Sequence, residues 1–248
     1  MKQASKGEKI LSIDIGGSHV KATILDHEGE LQMDYEKIVT PPSVKPKQLV
    51  QVIQTLIKDF PAYDKVSVGF PGYVKKGVVL TAPNLGTKDW AGFDLAKTLE
   101  NTLGKPTQVV NDADMQGLGV VNGKGFEMVV TLGTGFGTAL LNDGYLLPHL
   151  EIAHHPVTKS KTYDDYVGEK ALEAIGDDDW NDRVKHVIEI LKTVFNYDTL
   201  YLGGGNARKI KFKLDDNVVL ISNRDGIKGG ARLWHEDTRE HLITAVKK

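Results

Sequence analysis

Ile15-Gly16-Gly17-Ser18-His19-Val20-Lys21-Ala22-Thr23-Ile24-Leu25-Asp26 is the stretch on which the fold turns. An apolar run, Ile10 to Ile15, leads into it and stops at two glycines. A second run follows and ends in an acidic turn. Apolar runs ended by glycine read as buried strands entering a tight turn. The pattern returns in Leu132-Gly133-Thr134-Gly135-Phe136-Gly137-Thr138-Ala139-Leu140-Leu141-Asn142-Asp143, at a fixed offset of 117 residues. Two glycine hairpins, each opening about half of the chain, suggest two related lobes. A ligand between lobes is the usual consequence.

Working outward, glycine is abundant, with 26 in 248 residues. Thirteen of them fall in five stretches: Gly16-Gly17, Gly69 with Gly72, Gly133 to Gly137, Gly203-Gly204-Gly205, and Gly226 with Gly229-Gly230. Three of these follow apolar runs, so they read as turns that let backbone approach a ligand rather than as linkers. Helical spacing appears in Pro46 to Phe60, with Leu49, Val52, Ile53, Leu56, Ile57 and Phe60 on one face. It recurs from Asn181 to Phe195, and a shorter helix runs from Phe93 to Leu103. Strands and helices in alternation predict an α/β fold.

Composition removes several classes. The chain has no cysteine, which excludes disulfides, iron–sulfur clusters and thiol nucleophiles. A net charge of −2 gives no electrostatic footprint for duplex nucleic acid. No apolar run approaches the ~20 residues that span a bilayer. The polar start, Met1 to Glu8, predicts no signal-peptide core and a cytoplasmic protein.

Four constellations can carry chemistry. Asp14-Ile15-Gly16-Gly17-Ser18 sets a carboxylate at a strand end, then exposed backbone N–H groups and a hydroxyl, with Lys21 beyond. This suits phosphate oxygens, with Asp14 on a hydrated Mg²⁺. It is also a plain hairpin turn. Gly133-Thr134-Gly135 is a second such turn and Gly203-Gly204-Gly205-Asn206 a third, able to open a helix against phosphate or adenosine. None has the spacing of a dinucleotide fingerprint or a P-loop. In Asn111-Asp112-Ala113-Asp114, an aspartate is either a helix N-cap or a general base at a strand end. Glu151 with His154 is a metal pair lacking a third ligand, a pair of sugar-hydroxyl ligands, or structural. Beyond the third turn, Arg208, Lys209, Lys211 and Lys213 either guide a polyanion or face solvent from an edge strand.

Together, and in order along nearly the whole chain, these motifs resemble the ROK family (repressor, open reading frame, kinase) of sugar kinases. The likeness rests on Asp14 to Ser18 with Lys21, Gly69-Phe70-Pro71-Gly72, Ala82-Pro83-Asn84-Leu85, Asn111 to Asp114, Leu132 to Gly137 and Gly203 to Gly205. Within the family it is to the polyphosphate/ATP glucokinases. These likewise lack the cysteine-rich zinc loop, where this chain has Thr158 to Gly168.

The resemblance implies a two-lobed actin/hexokinase-like (ribonuclease H-like) α/β fold with an inter-lobe cleft. The small lobe would be residues 1–111, with a last helix, Lys228 to Val246, packing back on it within 228–248. The large lobe would be 112–227. It implies transfer of a terminal phosphoryl group from polyphosphate or ATP to the 6-hydroxyl of glucose, with Asp112 as base. Asp14, Gly16, Gly17, Ser18, Lys21, Gly133, Thr134, Gly135, Gly204 and Gly205 would hold phosphates or nucleotide, with Mg²⁺ near Asp14 and no zinc. Gly72, Asn84, Asn111, Asp112, Glu151 and His154 would bind the sugar. A homodimer is implied. The alternatives are another hexose (mannose, fructose or an N-acetylhexosamine) or a non-catalytic sugar sensor. Two departures stand out. Ala153 replaces a glycine before His154, and the glutamate after the zinc cysteines is missing, with Asp164, Asp165 and Glu169 as candidates to replace it.

Overall fold

The structure, a computed structural model, describes residues 7–222 and 226–235. The chain forms two compact units, one of Met1–Gly119 together with Gly226–Lys248, the other of Val120–Asp225.

The first unit carries a five-stranded sheet in the order β3-β2-β1-β4-β8. Its strands are β1 (Ile10–Ile15), β2 (His19–Leu25), β3 (Glu36–Val39), β4 (Lys65–Phe70) and β8 (Thr107–Asn111). The first three are antiparallel; β4 and β8 continue parallel to β1. Alternation along β1 sends Leu11, Ile13 and Ile15 into one core with Val66, Val68 and Phe70 of β4. Helix α1 (Pro46–Ile57) closes that core with Leu49, Ile53, Leu56 and Ile57, and α3 (Leu95–Leu103) with Leu95 and Leu99. Burying each such side chain contributes about 1.5–3 kcal/mol. Between β4 and α3 lie a short helix, α2 (Thr87–Trp90), and a small sheet of β5 (Val74–Lys75), β6 (Val78–Val79) and β7 (Phe93–Asp94).

The other face of this sheet carries Ser12 and Ser67, and the C-terminal segment covers it. Ser12 Oγ donates to Ile227 O at 2.8 Å, Ser67 Oγ to Gly230 O at 2.6 Å, and Trp234 Nε1 to Ser67 Oγ at 2.8 Å. Of the helix expected from Lys228 to Val246, the described part is one turn, α7 (Gly229–Arg232), and a bend; 236–246 lie outside the described residues. Helix α4 (Asp112–Val120) belongs, all but its last residue, to the first unit. The sequence reading set the lobe boundary before it. The reason is packing: Met115 of α4 sits against Gly69 and Gly229 of the first unit, where glycine leaves room.

The second unit repeats the topology. Its order is β11-β10-β9-β12-β13, from β9 (Phe126–Leu132), β10 (Phe136–Asn142), β11 (Tyr145–Leu146), β12 (Thr199–Gly203) and β13 (Val218–Leu220). Again three strands are antiparallel and two continue parallel. This shared order is that of the actin/hexokinase-like, ribonuclease H-like fold. A short helix, α5 (Tyr163–Val167), precedes α6 (Glu169–Phe195), which is broken at Gly176 (φ +80°). Trp180, Val184, Val187 and Leu191 of α6 pack on Met128, Val130 and Leu132. Buried Glu127 accepts from the N–H groups of Asn122, Gly123 and Lys124 and from the Tyr201 hydroxyl, so a charge costly to bury is fully bonded. Burial, reinforced by the hydrogen bond to Glu127, pushes the Tyr201 hydroxyl pKa up to about 12.

Candidate active site

In the first unit, sheet register assembles a row. Asp14 lies opposite Lys21 on β2 and opposite Gly69 on β4, so all three positions share one face. Lys21 Nζ stands 3.6 Å from Asp14 Oδ2. Burial pushes the Asp14 carboxyl above its usual range, and the Lys21 ammonium opposes that shift. On Gly69 a Cβ would stand 3.2 Å from Asp112 Cα and 2.9 Å from Met115 Cε. Glycine there lets the first turn of α4 settle on the strand, at the β4 end of this row.

Asp112 is not the helix cap. Asn111 Oδ1 accepts from the N–H groups of Ala113 (2.8 Å) and Asp114 (3.3 Å), and Asn111 Nδ2 donates to Gly72 O at 3.1 Å. Asn111 is buried and spends most of its side chain on holding α4 to the Gly72 turn, leaving one amide N–H for a ligand. Asp112 is half-buried at the carboxyl end of a parallel strand, where ligands bind in such sheets, and one carboxylate oxygen accepts from Ala113 N at 2.9 Å. A side chain on Gly72 would overlap the Thr81 carbonyl, so this glycine is fixed by close packing. Asn84 is exposed in the turn from Ala82 to Gly86, closed by Leu85 and Gly86 N–H groups on Ala82 O.

The first glycine turn is closed at its base. Gly16 N donates to His19 O at 2.9 Å. Gly17 and Ser18 form an exposed tip, and nothing lies within 4 Å of where a Gly17 Cβ would be.

In the second unit the matching turn is one residue shorter. Leu132 pairs with Phe136, whereas Ile15 pairs with Val20. Gly133 N donates to Gly135 O at 3.1 Å, and Gly133 O accepts from Glu169 N at 3.0 Å and more weakly from Asn206 Nδ2 at 3.4 Å. Thr134 is the exposed tip. The shift sets Gly137, not a lysine, opposite Thr131. An acid sits here instead. Asp164 Oδ1 accepts from Phe136 N at 2.6 Å and would lie 2.8 Å from a Cβ on Gly135. Burial raises the Asp164 carboxyl above its usual range, opposed by the Phe136 N–H and His154, and helped by Asp165 and Glu151.

That arrangement separates the three acidic candidates. Asp165 is used in a capping box with Thr162, and Glu169 is exposed at the start of α6. Asp164 alone of the three faces the glycine turn. Glu151 lies between two imidazoles, 3.7 Å from His149 Nε2 and 3.8 Å from His154 Nε2. Among the described residues no group of three or more His, Asp or Glu can hold a metal. In place of a zinc loop, Val157 N donates to Lys161 O at 2.9 Å and Lys161 N to Thr158 Oγ1 at 3.1 Å, closing a backbone turn.

The third glycine turn opens only a 3₁₀ turn, Ala207–Lys209, not an α-helix. Gly204 (φ +86°) would overlap the Leu132 backbone with any side chain, so its glycine is structural; Gly205 is open. The lysines beyond it are not on an edge strand, since no described strand includes 209–213. Lys209 stands 3.6 Å from Asp177, and Lys211 stands 2.9 Å from Asp178. The acids that follow the Gly176 break thus answer part of the cationic cluster.

The sequence reading did not single out Thr40, a buried residue just after β3 that bonds Gly16 O at 2.8 Å. A hydroxyl ending an otherwise exposed edge strand was the available signal.

Comparison with known proteins gives the family and fold this chain resembles. The family model described as ROK family matches residues 10–151. A polyphosphate glucokinase from Mycobacterium tuberculosis is 32% identical over 225 residues, covering 86% of this chain and 82% of that protein. An N-acetylmannosamine kinase from Escherichia coli is 31% identical over 144 residues, covering 55% of this chain and 48% of that protein. The crystal structure of an inorganic polyphosphate/ATP-glucomannokinase from Arthrobacter sp. strain KM superposes with a TM-score of 0.83 at 28% identity, covering 92% of this chain and 100% of that one.

Proposed function

The chain belongs to the ROK family and is a sugar kinase, and from that premise we propose that it phosphorylates glucose at the 6-hydroxyl using polyphosphate or ATP. The observation that carries this reading is the row Lys21, Asp14, Gly69 on one sheet face, with Asp112 seated over Gly69. Asp112, Lys21 and the first glycine turn thus belong to one unit, which supports a base and a donor-phosphate site near one another. The hydroxyl oxygen attacks the terminal phosphorus, the bridging P–O bond of the donor breaks, and the hydroxyl proton passes to Asp112. ADP or a shortened polyphosphate leaves. Most of the remaining catalysis is positioning and charge neutralisation.

Lys21 and the N–H groups at the Gly17–Ser18 tip take donor phosphates, with Gly133, Thr134 and Gly205 as the open positions of the second unit. Asp14 fits Mg²⁺, which is commonly held by one or two carboxylates together with donor phosphates. Bound there, the ion would neutralise phosphate charge. Asn84, the remaining Asn111 N–H, Glu151 and His154 bind sugar hydroxyls, and Asp164 stands in for the missing glutamate. No described helix is long and apolar enough to cross a membrane; the proposed setting is the cytoplasm.

The second reading is a ROK kinase for another hexose, favoured by the N-acetylmannosamine kinase likeness and by Asp164, shorter than glutamate by one methylene. One assay separates the readings: purified protein with Mg²⁺, each donor in turn, and glucose, mannose and N-acetylmannosamine as acceptors. Glucose 6-phosphate should form fastest. Asp112→Asn should lower kcat by about 10²–10⁴-fold. A different preferred acceptor selects the second reading; a sensor would give no product with any acceptor.

A further inference from the structure

We propose that Thr40 is a positioning residue for the phosphoryl donor, holding the first glycine turn in the orientation that presents N–H groups to phosphate. The inference rests on the kinase reading for the identity of the ligand, and on this chain's hydrogen bonds for the device.

Thr40 follows β3 directly, is 4% exposed, and makes two bonds to the turn. Its Oγ1 donates to Gly16 O at 2.8 Å, and its backbone N donates to Ser18 O at 3.0 Å. A trans peptide is planar, with its C=O and N–H pointing in opposite directions. Anchoring Gly16 O on Thr40 therefore turns Gly17 N–H away from Thr40. Anchoring Ser18 O fixes the peptide on the other side of the tip. The Gly17–Ser18 peptide is thus bracketed by two held planes.

The hydroxyl has a task that the backbone bond cannot perform. The Gly16–Gly17 peptide has glycine on both sides, so no Cβ resists its rotation. Ser18 O is held by an extension of the β2–β3 ladder, in which His19 pairs with Val39. The Gly16 carbonyl lies beyond that ladder, and a side-chain donor is what secures it. Without the hydroxyl this peptide can flip, and its carbonyl oxygen then faces the phosphate oxygens and repels them. Valine has nearly the same shape as threonine and lacks the donor. Serine keeps the donor and loses a methyl.

The test uses the full chain, with Thr40→Val and Thr40→Ser beside wild type. Calorimetry measures binding of inorganic tripolyphosphate, a non-hydrolysable ATP analogue and glucose, each with Mg²⁺; steady-state assays give donor and hexose KM, and thermal scans report folding. Thr40→Val should weaken both donors about tenfold, the loss of one orienting hydrogen bond. Thr40→Ser should stay within about threefold of wild type, and glucose affinity should hold in both variants. Donor affinity unchanged in Thr40→Val, an equal loss of glucose and donor affinity, or a serine variant as weak as the valine one would each overturn the proposal. If wild type shows the Thr40-dependent tripolyphosphate binding and phosphorylates no hexose, the kinase reading falls and the role of Thr40 stands. If wild type binds neither donor, both fall.

Discussion

Asp164, proposed above as a sugar ligand, is a carboxylate whose burial comes at a cost to the fold. It is partly buried against Phe136 N–H and near the charges of Glu151 and Asp165, and its carboxyl is raised above the ordinary 3.8. A raised acid prefers its proton in the folded state. Its contribution to stability is complete below the unfolded value and is lost as pH rises through the folded value. Asp164→Asn keeps an acceptor for Phe136 N–H and cannot ionise. It should therefore be more stable than wild type at neutral pH, with the difference closing as pH falls toward 3.8 in urea titrations. The same variant should raise hexose KM by about tenfold or more through loss of a charged acceptor. A less stable Asn variant at pH 7 would refute the burial argument. Lys21→Gln gives the converse at the donor side: donor KM should rise and hexose KM should hold, because Lys21 stands beside Asp14 and the open glycine tip.

At the scale of elements, the two glycine hairpins share strand bounds to within one residue at the 117-residue offset and differ in register. β1 and β9 send matching residues to their cores, Leu11, Ile13 and Ile15 in one and Met128, Val130 and Leu132 in the other. A turn shorter by one residue then reverses which residues of β10 face inward. Phe136 enters the core, while His19, its sequence equivalent, does not. The strands were legible because apolar runs stop at glycine. The slip was not, because pairing depends on turn geometry. Glycines within one motif also differ in purpose. Gly204→Ala should cost at least about 2 kcal/mol, from positive φ and overlap with Leu132. Gly17→Ala should change stability by less than about 0.5 kcal/mol, since nothing lies near its Cβ position. A fall in donor affinity in Gly17→Ala would then report on the ligand alone, as chemical denaturation and calorimetry together would show.

For the whole molecule, the first unit is not contiguous in sequence. Its sheet is covered on one face by residues that arrive after the second unit is complete. Trp234, 4% exposed and bonded to Ser67, is the largest described side chain of that cover. Trp234→Ala should cost about 3–5 kcal/mol. A chain ending at residue 225 should lose the cooperative unfolding of the first unit, because Ser12, Ser67 and the glycine-lined strands would face water. Val120–Asp225 keeps its own sheet and core in that chain. Calorimetric scans of the truncated chain check this; a single unchanged transition would contradict it.

The sequence by itself determined the α/β class, the two-fold repeat of strand, glycine turn and strand, and the place of Asp112 at a strand end. Those are local properties: apolar periodicity and the stereochemistry of glycine act within a few residues. It left Asp112 undecided between cap and base, three acids equivalent, and four basic residues unassigned. The structure shows which partners several of these side chains take. Asn111 took the cap, Thr162 took Asp165, Asp177 and Asp178 took Lys209 and Lys211, and Asp164 lies against the glycine turn. The first two are local caps; the ion pairs and the Asp164–Phe136 bond join residues about thirty apart, set by packing and register, which no local pattern encodes.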